Sequence, residues 1–86
     1  MRRVFKYPLT NQRDGVLAIH RDAVIRHVHA QGDAICLWAE IDDQRALEMR
    51  EFVVVGTGHE VSSDLAYVGT AHMPPFVWHV YERITR

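Results

Sequence analysis

Two alternating runs, residues 23–31 and 34–42, are separated by Gly32-Asp33, and this pairing constrains the chain more than any other feature. Glycine tolerates the positive φ required at the first central position of a two-residue primed turn, so Gly32 starts an antiparallel hairpin and sets its register. Counting outward from the turn, Ala30 faces Ile35, Val28 faces Leu37, Arg26 faces Ala39 and Val24 faces Ile41. Side chains alternate along a strand, so this set shares one face. It is apolar except for Arg26, which makes it the core face. The opposite face sets His29 against Cys36, His27 against Trp38 and Ile25 against Glu40. A solvated surface seldom carries tryptophan, so that side is expected to be covered by another strand, a subunit or a ligand.

The rest of the chain reads the same way. Short segments enriched in β-branched and aromatic residues recur near 2–7, 16–20, 49–56, 66–73 and 76–84, with turn residues between them. The most helix-like stretch, Asp42 to Met49, is too short to stand as an unsupported helix and reads as a loop. The expectation is an all-β chain: a small antiparallel barrel or sandwich of five to seven short strands, forming one domain over residues 1–86. In the last segment Phe76, Trp78 and Val80 alternate with Val77, His79 and Tyr81, and both sets are bulky. Because proline fixes φ and lacks an amide donor, Met73-Pro74-Pro75 calls for a connection wider than a two-residue primed turn. A chain of 86 residues has little material to cover both faces of several strands, so a homo-oligomer is expected.

Composition narrows the functional classes. Ten Lys and Arg against eleven Asp and Glu give a net charge of -1, too balanced to grip a long nucleic-acid backbone. A single cysteine, Cys36, cannot form an internal disulfide, and small secreted domains usually need several, so a reducing compartment is expected. The start, Met-Arg-Arg-Val-Phe-Lys-Tyr-Pro, lacks the apolar run of a signal peptide, and no stretch is apolar for the length of a bilayer span. No membrane association is expected.

Among groups that could carry chemistry, Gly56-Thr57-Gly58-His59 follows the apolar run Phe52-Val53-Val54-Val55 and so sits at a strand end. Glycines let backbone amides turn toward an anion, the Thr57 hydroxyl adds a donor, and His59 can hydrogen-bond or become cationic. The same four residues also suit a tight β-turn. His27 and His29 share a strand face with Cys36 opposite, but no CxxC or HExxH spacing supports a metal centre, and none is expected. Cys36 lies in the apolar run Ala34-Ile35-Cys36-Leu37-Trp38, where a buried, inert thiol is the default. With no catalytic signature and no cofactor motif, the chain reads as a non-enzyme. Aromatic planes such as Trp38 and Tyr7, with cations such as Lys6, suit a small anionic ligand better than a polymer.

Phe5-Lys6-Tyr7-Pro8-Leu9, Cys36-Leu37-Trp38-Ala39, Gly56-Thr57-Gly58-His59, Tyr67-Val68-Gly69-Thr70 and Val77-Trp78-His79-Val80-Tyr81-Glu82 occur in that order over nearly the whole chain. In this the chain resembles a family of small bacteriophage and prophage proteins. It departs from their pattern at Glu60-Val61 and at Pro74-Pro75. The resemblance implies a protein acting in the cytoplasm of an infected bacterium, as an accessory factor directed at host functions. One class of such factors sequesters nucleotide immune signals without cleaving them. The resulting expectation is an oligomeric, anti-defence binding protein for a nucleotide-like ligand, with Lys6, Tyr7, Trp38, Gly56, Thr57, Gly58, His59 and His79 forming the site. The alternative is a protein-binding module that inhibits or redirects a host enzyme, with its aromatic face as the interface.

Overall fold

The computed structural model describes residues 1–9 and 14–84. The strands are β1 (Arg2–Leu9), β2 (Asp14–His20), β3 (Val24–Gln31), β4 (Ala34–Asp42), β5 (Leu47–Gly56), β6 (Leu65–Met73) and β7 (Phe76–Arg83). The chain is all-β, and no helix occurs among the described residues. One sheet has three strands in the order β1-β4-β3 and the other has four in the order β2-β5-β7-β6, with every pairing antiparallel. Of the two architectures that the strand pattern allowed, the chain adopts the sandwich and not the closed barrel. The Asp42–Met49 stretch forms no helix, but β5 begins at Leu47, because Leu47 and Met49 pair with His20 and Ala18 of β2.

Alternation explains the core. Ile19, Leu37, Ala39, Ile41, Phe52, Ala71 and Val80 project between the sheets and are at most 1% exposed. Full burial of an Ile, Leu, Val or Phe side chain stabilises by roughly 1.5–3 kcal/mol, so this set supplies much of the driving force. One end of the core is closed by Arg50. Its Nε and Nη2 donate to the Glu82 carboxylate at 2.6 and 2.7 Å, and its Nη1 donates to Ala23 O at 2.7 Å. With the Ala23 contact, this bidentate pair gives each nitrogen of the guanidinium an acceptor at the edge of an apolar interior.

The β3–β4 hairpin turns at Gly32, whose φ is +63°, and follows the expected register from Ala30 opposite Ile35 to His27 opposite Trp38. Beyond that point a β-bulge at Arg26 corrects the expectation: Ile25 lies opposite Ala39 and Val24 opposite Glu40. The uninterrupted register would have aimed the Arg26 guanidinium into the core. The extra residue turns Ile25 inward instead and leaves Arg26 outside, where its Nε donates to Glu40 Oε1 at 3.1 Å. Val24 becomes 46% exposed as a consequence.

The β6–β7 connection also differs from expectation. Met73 pairs with Phe76, so Pro74-Pro75 is a two-residue loop, and the peptide bond between the prolines is cis. A cis proline at the third position of the turn is the type VI arrangement, which closes without an amide donor from either proline. A second bulge, between Tyr67 and Gly69 of β6, sets Gly69 under β3. A Cβ at Gly69 would stand 2.5 Å from Val28 Cγ2, so the two sheets approach here as closely as a bare backbone permits.

Candidate functional site

Beyond the end of β5 the chain turns back at once. The His59 amide donates to Gly56 O at 3.0 Å and Gly58 has φ +90°, so residues 56–59 form a tight β-turn. Gly56 pairs with Trp78 of β7. A Cβ on Gly56 would lie 3.1 Å from Trp78 Cζ3 and 3.1 Å from both Cε1 and Nδ1 of His59. The glycine is thus the floor on which the indole and the imidazole both rest.

Gly56, Thr57 and His59 of this turn, with Pro75, Phe76, Val77 and Trp78, line a groove of about 470 Å³. That lies within the roughly 300–1,000 Å³ of small-molecule sites. The Phe76 and Trp78 rings are 5.5 Å apart at an interplanar angle of 32°, and Phe76 is 56% exposed. The pair offers a slanted aromatic wall beside a Gly-containing turn. Among the described residues no Lys or Arg lines the groove, so a bound anion would be met by backbone amides of the turn and by His59.

His79, one position further along β7, points to the outer face of the four-stranded sheet. Its Nε2 lies 2.9 Å from Thr57 Oγ1 and its Nδ1 lies 3.1 Å from Thr70 Oγ1. It reaches the groove through Thr57 and does not line it.

Over this whole arrangement runs one family relationship: the model of a domain of unknown function, DUF7352, matches residues 1–86. The chain belongs to that family. No curated protein and no solved structure matches it.

The eight residues expected to form the site of this DUF7352 chain fall in three places. Gly56, Thr57, Gly58 and His59, with His79 behind them, occupy the turn and its flank. Lys6 and Trp38 pair across β1 and β4 and face outward from the three-stranded sheet. There Lys6 Nζ donates to Gln31 Oε1 at 2.7 Å, and Trp38 lies 5.5 Å from the His27 ring, which stacks on His29 at 5.6 Å. Tyr7 pairs with Leu37 and faces inward against the core, where burial pushes its phenol up from the ordinary value. Strand parity alone divides them, since neighbours such as Lys6 and Tyr7 must point to opposite faces. The stacking plane beside the turn is therefore the Phe76–Trp78 pair and not Trp38 or Tyr7. The Phe76/Trp78 alternation was visible in the sequence, but only the pairing of β5 with β7 carries it to Gly56.

Cys36 is 2% exposed, as its apolar neighbours predicted. Among the described residues no three His, Cys, Asp or Glu side chains are grouped so as to hold a metal ion. Nor is any helix there long and apolar enough to cross a membrane.

Proposed function

We propose that this domain is a non-catalytic binding protein that captures a small planar ligand of the nucleotide class. The base lies against Phe76 and Trp78 with its edge toward Thr57, and the anionic part lies toward His59. The observation that carries this reading is the aromatic pair, Phe76 exposed and Trp78 half-buried, that shares one groove with the Gly-containing 56–59 turn. Base–aromatic stacking contributes about 1–3 kcal/mol and is tolerant of base identity. Capture without cleavage suits a protein that withdraws a nucleotide signal, the role that resemblance to small phage proteins implies. Calorimetric titration with mono-, di- and cyclic nucleotides and ADP-ribose tests it. At least one is expected to bind, with Phe76→Ala weakening it about tenfold or more while the melting temperature stays within a degree or two. The ligand should be recovered chemically unchanged. Absence of heat across the panel, or conversion of the ligand, overturns the reading.

A second reading, self-association, has its own support. Val16, Leu47, Met49 and Tyr67 are each at least 60% exposed, and by strand parity all lie on the outer face of the four-stranded sheet. Arg83 meets the Glu51 carboxylate of that face and also the Asp64 carboxylate in the turn before β6, so a second copy can approach without bringing these charges together unpaired. Sedimentation of the chain is expected to show a dimer that Met49→Glu dissociates. A monomer at high micromolar concentration would remove this reading.

A further inference from the structure

Behind the groove an unbroken chain of hydrogen-bonding groups crosses the outer face of the four-stranded sheet. Tyr67 Oη lies 2.5 Å from Thr70 Oγ1, Thr70 Oγ1 lies 3.1 Å from His79 Nδ1, and His79 Nε2 lies 2.9 Å from Thr57 Oγ1. Thr57 Oγ1 in turn donates to Val77 O at 3.4 Å. Each hydroxyl has one hydrogen to give, and a neutral imidazole has one N–H and one acceptor nitrogen. The imidazole therefore takes a hydrogen from one threonine and gives one to the other, and the inner end decides which.

At the outer end, a phenolic O–H is a stronger donor than an alkyl hydroxyl, so Tyr67 donates to Thr70. Thr70 keeps its own hydrogen and is free to give it to His79 Nδ1. An accepting Nδ1 places the imidazole proton on Nε2, which donates to Thr57. At the inner end, the Thr57 hydrogen is directed to Val77 O, which again requires Thr57 to accept from His79. The opposite tautomer would take Thr57's hydrogen away from Val77 O.

We infer that His79 is a positioning residue: as the Nε2–H tautomer it holds the Thr57 hydroxyl with its hydrogen turned away and its remaining lone pair free for the groove. Resting on the nucleotide reading above, this makes Thr57 a specificity determinant for bases that present an N–H donor, such as an exocyclic amine. A keto group at that position would face a lone pair with a lone pair, and a buried acceptor left without a donor weakens binding.

Two measurements at pH 8 test it, and the first needs no ligand. Imidazole ¹⁵N correlation spectra are expected to show His79 as a single Nε2–H tautomer in the wild type and in Thr57→Ser, and as an averaged pair of tautomers in Thr57→Val. A wild-type Nδ1–H tautomer, or averaging in the wild type, overturns the inference. The second compares AMP with purine riboside 5′-monophosphate, which lacks only the exocyclic amine. AMP is expected to bind about tenfold more tightly, a difference of about 1.4 kcal/mol, with the preference lost in Thr57→Val and kept in Thr57→Ser. Equal binding of the two overturns the specificity while the nucleotide reading stands. Binding of neither overturns the nucleotide reading, and the specificity with it, while the spectrum still decides the tautomer of His79.

Discussion

Gly69 shows how much a single missing atom decides in this fold. Its absent Cβ would sit 2.5 Å from Val28 Cγ2 and 2.8 Å from Val28 Cβ. Val28 is 7% exposed and cannot swing aside. Gly69→Ala is therefore expected to destabilise by about 1–3 kcal/mol, the usual cost of overpacking, in urea unfolding. Val28→Ala in the same chain should recover part of the loss, whereas simple additivity of the two changes would show that the contact is not the cause. Arg26 teaches a related lesson. The sequence placed a guanidinium on an otherwise apolar face, and that conflict was itself the legible sign of a bulge. Tyr7 carried no such sign. Its neighbour Lys6 suggested a binding pair, but adjacent residues on a strand never share a face.

Among the elements, those governed by local chemistry were readable and those governed by distant pairing were not. The β3–β4 register followed from Gly32 because a two-residue turn leaves no freedom in how the flanking residues meet. The seven segments occur in the expected order, with β1, β2 and β5 each two residues longer than their sequence segments. The Pro74-Pro75 turn was misjudged because its tightness depends on a cis bond, and the cis or trans state of a proline is decided by the surrounding fold. The 56–59 turn was legible as a turn, yet its partners were not, since β5 meets β7 only once the strand order β2-β5-β7-β6 exists. That pairing turns four separate sequence features, Gly56, His59, Phe76 and Trp78, into one groove.

At the scale of the whole molecule, several carboxylates are lowered in the folded state. Arg3 Nε at 2.7 Å is foremost in holding Asp43 well below the carboxylate range, the Gln44 amide at 3.0 Å is foremost in lowering Asp42, and Ser62 with Arg83 lowers Asp64. A carboxyl lowered on folding stabilises the native state above its unfolded value, 3.8 here, and that stability is lost as pH falls through the folded values. Urea midpoints are thus expected to be level above about pH 5 and to drop below about pH 4. Asp43→Asn should make that acid limb shallower, and an unchanged limb would mean the exposed Arg3 pair contributes nothing to it. The two sheets also separate the two tryptophans. Trp38 faces out from the three-stranded sheet, and Trp78 stands in the groove beside the 56–59 turn. This gives the central claim, that ligand binds between that turn and the Phe76–Trp78 wall, a direct readout. In a ¹H–¹⁵N spectrum titrated with AMP, the Trp78 indole N–H and the amides of Gly56 to His59 are predicted to shift together and saturate, with the Trp38 indole unmoved. Movement of the Trp38 indole with a silent Trp78 would contradict the account.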